Sequence, residues 1–410
     1  MKRFLCALCL AFAALPASTQ DRTLRLDYSF SGDASSAVVA LDEMRVISGW
    51  AGRRTNMKEL PLRGNGNLTL RSVQSGDTLY HVSFSTLFQE WQNTQEATEL
   101  RKNFENVFLV PMPENLAEAT VELFDSKGSL QVSFTHTVNP SDILIRPATS
   151  KPVTKDIMIN GPADKCIDVV IVAEGYTASE AALFWKDAAA ARDAILSHEP
   201  FKSFKERFNF RAVWLESAQS GVSVPGKGLW KDTPLHSAFD TFYSDRYLTT
   251  LRLKDLHDAL AGVPYEHIII LANTDTYGGG GIYNSYTLTT ARHSQFRPVV
   301  VHEFGHSFAG LADEYYYDDQ YSNYFFPFCE PWEPNITTMF DFGSKWEDML
   351  GHDGGSVHEG GGYMSKGVWR GCEDCRMKTN TTAGFCPVCR RAIERMIRFY
   401  TEDLSENKAE

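Results

Sequence analysis

Two histidines and a glutamate lie within one short segment, His302-Glu-Phe-Gly-His306, with Glu303 directly after the first histidine. Residues four apart on an α-helix share a face, so the imidazoles of His302 and His306 can converge on one metal ion. From its neighbouring position, the Glu303 carboxylate can take a proton from a water molecule held by that ion. The spacing therefore predicts a zinc site with two protein ligands and a general base.

A catalytic zinc site of this kind needs a third protein ligand. Gly310 can adopt the left-handed conformation that ends a helix, so the chain can turn back and bring Asp313 to the metal. Glu314 is the alternative within the same segment. Acids farther downstream lie in Pro-, Trp- and Gly-rich sequence and are weaker candidates: Glu330, Glu333 and Glu347.

The segment HEFGHSFAGLADEY, which contains these residues, resembles the active-site signature of the IgA-peptidase family of zinc metallopeptidases, a metzincin-like group of secreted bacterial proteins. The resemblance implies a zinc endopeptidase that acts on protein or peptide substrates. It also implies that His302, His306 and Asp313 hold one catalytic zinc and that Glu303 is the base. The usual metzincin pattern is HExxHxxGxxH, or Asp at its end, whereas here the glycine and the acid each come one residue later, at Gly310 and Asp313.

Four successive glycines, Gly278, Gly279, Gly280 and Gly281, precede the motif. A phosphate-binding role has little support, because no Lys-Ser/Thr pair follows them. Glycine allows close backbone approach, so the run can form a rim leading into an edge strand on which an extended peptide substrate pairs. A plain flexible turn is the alternative, and the sequence favours neither interpretation.

A second group of potential ligands is formed by four cysteines, Cys372, Cys375, Cys386 and Cys389. Two CxxC pairs with ten residues between them match the spacing of a structural zinc site with four thiolates. Disulfides are the alternative, because an exported chain meets an oxidising environment. We expect a second, structural zinc.

A methionine lies close to these cysteines, in Cys375-Arg-Met377. Metzincins have a methionine-containing turn beneath the catalytic zinc, and Met377 resembles that methionine, with Met364 as the second candidate. A core methionine without a special role is the alternative interpretation.

The elements that must position these residues fall into two regions with different patterns. From 21 to 145, short alternating runs separated by turns predict a β-sandwich-like domain, with the clearest hairpin around 125–128. From 146 to 410, the pattern predicts an α/β domain with a twisted sheet and the active-site helix, so the fold class is α+β. The family resemblance implies that this second region is a metzincin-like zinc peptidase domain. Its predicted elements are a buried strand, a capping-box helix start, two further strands and a closing helix, at 167–173, 177–180, 208–214, 267–272 and 386–400.

Residues 1–20 combine two basic residues, an apolar run and a small-residue end, which is typical of a signal peptide. We therefore expect export to the periplasm, the cell surface or the extracellular space, and we find no later run that could span a membrane. A length of 410 residues with 43% apolar residues supports two or three packed domains. The formal charge of −12 argues against nucleic acid or anionic membrane as a partner.

Two other functions fit the same residues. A surface binding or adhesion protein would recognise its partner through the β domain and use the zinc only structurally. A zinc hydrolase would act on an ester or amide outside the protein backbone. The intact Glu303 argues against the first, and the glycine run argues weakly against the second. The sequence does not indicate an oligomeric state.

Overall fold

The computed structural model describes residues 22–318 and 324–403, so the predicted signal peptide lies outside the described residues. Strands dominate the first part of the chain. They form two four-stranded sheets, in the orders β5-β1-β2-β8 and β4-β3-β6-β7. The elements of this part are β1 (Arg22–Asp33), β2 (Ser36–Ser48), β3 (Gly66–Ser72), β4 (Thr78–Phe84), α1 (Leu87–Trp91), β5 (Lys102–Pro111), β6 (Ala117–Phe124), β7 (Leu130–Val138) and β8 (Arg146–Pro147).

The inward faces of these two sheets share one apolar core, because alternate side chains of each strand point the same way. The ring of Phe84 in β4 lies 6.3 Å from that of Phe30 in β1 and 4.5 Å from that of Phe108 in β5, measured between centroids. The predicted hairpin is present, with β6 and β7 antiparallel. The arrangement is a sandwich. The boundary predicted after residue 145 falls just before β8, which still pairs with β2.

The second part of the chain contains a six-stranded sheet in the order β13-β14-β12-β10-β11-β9. Its four central strands are parallel, and both edge strands are antiparallel to their neighbours. Four short strands form a separate small sheet. The elements are β9 (Val153–Met158), β10 (Ile167–Glu174), α2 (Ala181–Leu196), β11 (Phe208–Trp214), α3 (Leu253–Ala259), β12 (His267–Ala272), β13 (Gly279–Ile282), β14 (Tyr286–Thr290), α4 (Phe296–Ala309), β15 (Tyr316–Tyr317), β16 (Ile336–Thr337), β17 (His358–Gly361), β18 (Tyr363–Arg370) and α5 (Pro387–Thr401).

Both faces of the six-stranded sheet are buried, which explains why the central strands β10 and β12 are nearly continuous apolar runs. On one face, Val169 and Ile171 belong to a core that includes residues of α2, α4 and α5. On the other face, Val170 and Val172 belong to the same core as the sandwich. The sandwich is therefore packed directly against the sheet that supports α4.

Local signals in the sequence agree with this mixed α/β structure. The capping box before α2 is present, since the Thr177 N–H donates to the Glu180 carboxylate at 2.9 Å. The predicted inner face of α2 is buried, including Phe184 and Ile195. In the described part of the chain, no helix is both long and apolar enough to cross a membrane.

Candidate metal centre

Helix α4 carries His302, Glu303 and His306 and ends at Gly310. Gly310 has a φ of +60°, and its N–H donates to the His306 carbonyl at 2.9 Å. This left-handed conformation suits glycine and reverses the chain direction. The reversal returns Asp313 to the two histidines, which is the placement that the sequence predicts.

Three potential ligand atoms converge at this point. The Nε2 atoms of His302 and His306 are 3.0 Å apart, and Asp313 Oδ1 lies 3.0 Å from the first and 3.3 Å from the second. Ligands about 2.1 Å from a tetrahedral zinc ion would be about 3.4 Å from one another. Asp313 Oδ1 is buried and has no hydrogen-bond partner within 22–318 and 324–403. The three groups therefore fit around one metal ion.

Backbone carbonyls determine which nitrogen of each imidazole faces this centre. His302 Nδ1 lies 2.9 Å from the Arg376 carbonyl oxygen, and His306 Nδ1 lies 2.5 Å from that of Leu311. Because a carbonyl can only accept, each Nδ1 must donate its proton there. In the neutral imidazole, Nε2 then presents a lone pair to the centre, as a metal ligand requires.

Asp313 is oriented by two donors. The Tyr363 hydroxyl donates to Oδ2, and the Gly362 N–H donates to the Asp313 carbonyl at 2.8 Å. Burial opposes ionisation of Asp313, but His306 and His302 outweigh burial and hold its pKa well below the usual range. Burial likewise opposes protonation of His306, yet Asp313 raises its pKa to about 9. The Asp313 carboxylate thus stabilises positive charge at this centre. That charge can be a proton on His306 or a metal cation bound in its place.

Gly279, Gly280 and Gly281 form most of β13, which lies directly on α4 beside Glu303. A Cβ atom at Gly279 would be 2.7 Å from Glu303 Oε1, and one at Gly281 would be 2.2 Å from the Glu303 carbonyl oxygen. Glycine is therefore needed here for contact with the helix, a reason that the sequence alone did not reveal. Burial raises the pKa of the Glu303 carboxyl, with His302 and His306 acting in the opposite direction.

The predicted glycine rim borders the cleft above α4, but less of its edge is open than the sequence suggests. The Gly279 N–H donates to the Arg246 carbonyl, and the Gly279 carbonyl accepts from the Leu248 N–H, both at 3.2 Å. The Gly278 carbonyl accepts from the Thr290 N–H at 3.2 Å. Since strand residues alternate in direction, Gly281 presents its N–H and C=O at the same outer edge as Gly279. Of these two outward-facing glycines, Gly281 is thus the one whose N–H and C=O the segment 246–248 leaves unpaired.

Both parts of the chain line this cleft, which has a volume of about 900 Å³. The sandwich contributes Arg63, Gln89 and Glu90, among others. Glu90 in α1 accepts a hydrogen bond from the Tyr247 hydroxyl at 2.5 Å, and burial raises its pKa to about 7. Sequence reasoning missed Glu90, because the five-residue helix α1 carries no motif that links it to α4.

The four cysteines predicted as ligands do not all come together. Cys375, Cys386 and Cys389 converge with Glu314, and one ligand atom of each lies within 4.8 Å of the others. Cys372 is outside this cluster and partly exposed, because the chain runs along the surface at residues 373 and 374 before Cys375 is buried. The Cys375 carbonyl then accepts from the Lys378 and Thr379 N–H groups at 2.8 and 3.0 Å.

The cysteines of the described chain, which include the four predicted ligands, carry free thiols, so the structure contains no disulfide there. Glu314, the alternative third ligand of the histidine site, belongs to the cysteine cluster instead. The downstream acids belong to neither group: Glu330, Glu333 and Glu347.

Met377 lies in the turn that follows Cys375. Its sulfur would be 2.9 Å from a Cβ at Gly305, so Met377 packs against α4 at Gly305, the residue before His306. Met377 is fully buried. The second candidate, Met364, lies in β18 and packs against a small separate core. The structure therefore brings Met377, and not Met364, against the motif helix.

Two family models match this chain. The model described as IgA Peptidase M64 matches residues 156–358, and the model described as Peptidase M64 N-terminus matches residues 16–135. No curated protein matches the chain. The first match contains α4, Asp313 and Glu314 but ends before the three cysteines of the cluster, and the second covers most of the sandwich.

Proposed function

Because this chain belongs to the IgA peptidase M64 family, which indicates a peptidase with protein substrates, we propose that it is a zinc-dependent endopeptidase. In this proposal His302, His306 and Asp313 hold the ion, and Glu303 is the general base. The supporting observation is the convergence of two oriented Nε2 atoms on Asp313 Oδ1, a buried oxygen without a hydrogen-bond partner in the described residues.

The reaction needs a proton acceptor beside the attacking water and a proton donor for the leaving amine. When bound, zinc would acidify a water molecule and polarise the scissile carbonyl. Glu303 accepts the proton of the attacking water and then passes it to the amine. Burial against β13 raises the pKa of Glu303, which brings this carboxyl closer to the neutral range in which a general base is most effective.

Substrate binding in this proposal uses the backbone as well as the cleft walls. The outward N–H and C=O of Gly281 pair with an extended peptide, because β13 is an edge strand of the six-stranded sheet. Tyr315 and Tyr363 line the same cleft from the opposite segment of the chain, and Glu90 lines it from the sandwich. Side chains of the substrate therefore contact both parts of the protein.

The decisive experiment compares the wild type with Glu303→Gln, which preserves the size of the side chain and removes the base. Glu206→Gln is the matched control, since the Glu206 side chain is 74% exposed and does not line the cleft. Each protein, after zinc loading, is incubated with a complex mixture of extracellular proteins, and new N-termini are identified by mass spectrometry.

We expect new termini from the wild type and from Glu206→Gln, and their loss with Glu303→Gln or a chelator. Equal cleavage by a zinc-loaded Glu303→Gln variant would refute the role of Glu303. Absence of any cleavage by the zinc-loaded wild type would count against the endopeptidase and favour a binding protein or a hydrolase of non-peptide substrates.

Export of the protein is part of the same proposal and rests on the signal-peptide pattern of residues 1–20. Cell fractionation of the full chain, beside a variant that lacks these residues, tests it. We expect only the full chain outside the cytoplasm, and equal retention of both inside the cell would overturn export.

A further inference from the structure

The cysteine cluster described above is a second, separate group of metal ligands. We propose that Glu314, Cys375, Cys386 and Cys389 bind one structural zinc ion, with the Glu314 carboxylate as the fourth ligand in place of Cys372. This site does not depend on the proposed peptidase activity. It differs from the sequence-based expectation in its ligand set and in its connection to the histidine site.

The distances suit a metal better than a disulfide. Cys375 Sγ and Cys389 Sγ are 3.7 Å apart, and Cys389 Sγ is 3.1 Å from Glu314 Oε1. Two thiolates on a tetrahedral zinc, with Zn–S bonds of about 2.3 Å, would be about 3.8 Å apart, whereas sulfurs in a disulfide are about 2.0 Å apart. With four protein ligands, the site would be closed to water, as structural zinc sites are.

Glu314 is the strongest sign that a cation belongs here. The residue is fully buried, and its Oε2 atom has no hydrogen-bond partner in the described residues. Its Oε1 atom accepts from the Asn335 amide at 3.0 Å. No Lys, Arg or His of 22–318 and 324–403 forms an ion pair with it. Arg370 attracts this carboxylate only from beyond ion-pair distance. A bound cation would supply the close counter-charge that a buried carboxylate needs, and so would explain why this glutamate is placed among thiols.

The N-terminus of α5 also favours thiolates at this position. Cys386 is the N-cap residue of the helix, and its sulfur accepts from the Cys389 N–H at 3.5 Å. Cys375 Sγ accepts from the Cys386 N–H at 3.2 Å. Free N–H groups and the positive end of a helix stabilise negative charge on sulfur. These donors offset part of the charge that three thiolates and a carboxylate bring to one ion.

The two metal sites share their supporting segments. Asp313 and Glu314 are neighbours, with the first facing the histidines and the second facing the cysteines. Cys375 begins a segment in which the Arg376 carbonyl accepts from His302 Nδ1 and the Met377 carbonyl accepts from the Glu314 N–H at 2.8 Å. An ion in the cysteine cluster would therefore fix the segments that orient the ligands of the histidine site.

Cobalt substitution of the full chain separates the two sites. Thiolate ligands produce an intense sulfur-to-cobalt absorption band in the near ultraviolet, and the nitrogen and oxygen ligands of the histidine site do not. We expect the wild type to bind two Co²⁺ ions per chain and to show this band. His302→Ala should bind one fewer ion and keep the band, so failure of either site can be recognised independently.

Cys389→Ser should lose the band and one ion, whereas Cys372→Ser, the matched control from the first CxxC pair, should keep both. Glu314→Gln should keep the band and weaken cobalt binding at this site by at least about 10- to 100-fold, because the loss of a group that only supports a ligand already costs that much. A wild type without the band, or a Cys372→Ser variant that loses it, would overturn the proposal.

Thiol protection provides a measurement that does not depend on the folding of variants. In the zinc-loaded wild type, Cys375, Cys386 and Cys389 should resist alkylation until a chelator is added, while Cys372 should react in both conditions. Peptide mapping by mass spectrometry identifies each cysteine. Disulfides among the first three in protein recovered from cells, or equal alkylation with and without zinc, would contradict a metal site.

Discussion

Substitution of Gly279 by alanine tests whether the glycine run serves to position Glu303. The added Cβ would lie 2.7 Å from Glu303 Oε1 and 2.8 Å from its Cγ. Gly279 does not have a positive φ, so alanine introduces no backbone strain there. Ordinary contact begins at 3.4 Å, so the carboxylate must move by about 0.7 Å. The perturbation acts on the base and leaves the metal ligands in place.

The expected size of the effect follows from that displacement. A shift of about 1 Å in a catalytic group can lower a rate about 100-fold. We therefore expect kcat to fall about 10- to 100-fold, which corresponds to about 1.4 to 2.7 kcal/mol in the activation barrier. Zinc content should not change, because the nearest atoms to the added Cβ all belong to Glu303.

The assay is steady-state hydrolysis of a peptide that contains a cleavage sequence found with the wild type, together with zinc content and Tm. Gly343→Ala is the matched control, since its added Cβ would have only one close neighbour, Glu347 Oε2 at 3.5 Å. Full activity of Gly279→Ala would refute the packing argument. Loss of zinc in this variant would show that the substitution acts on more than the base.

Three further predictions rest on the same geometry. Gly281→Ala places a Cβ 2.2 Å from the Glu303 carbonyl oxygen, a backbone atom that cannot rotate away, so the free energy of unfolding should fall by about 1 to 3 kcal/mol in a denaturant titration. Tyr363→Phe removes the hydroxyl that orients Asp313 and should weaken zinc binding about 10- to 100-fold in a chelator competition, and unchanged affinity would contradict this role. Burial lowers the pKa of His267 to about 3 in the folded chain. In the unfolded chain the same imidazole has a pKa of about 6.5, so it takes up a proton at a higher pH than in the folded chain. As the pH falls from about 6.5 towards 3, the free energy of unfolding should therefore decrease by at most about 5 kcal/mol. In His267→Phe that part of the pH dependence should be absent when unfolding is compared at neutral and acidic pH.

Features that depend on neighbours along the chain could be predicted from the sequence. The i, i+4 spacing of His302 and His306 places both on one helix face, because helix geometry is the same in every protein. Gly310 ends the helix through a local preference for positive φ. The capping box at Thr177 and the β6-β7 hairpin likewise arise from hydrogen bonds between residues only a few positions apart.

The position of Asp313 could be predicted for the same reason, because three residues separate it from the end of α4. The carbonyls that accept from His302 and His306, however, could not be predicted. They belong to Arg376 and Leu311, and because every residue carries a carbonyl, the sequence does not mark these two. Only the folded chain decides which of them reach the imidazoles.

The remaining parts of the site depend on contacts between distant segments. Glu314 joins cysteines more than sixty positions away, while Cys372, with ideal CxxC spacing, stays outside the cluster. Glu90 reaches the cleft because the sandwich packs against the six-stranded sheet. The glycine run is explained by the approach of β13 to α4. Residue types and local spacing determined which chemistry is available, whereas long-range packing decided which side chains share a site, because burial brings together atoms that no local pattern connects.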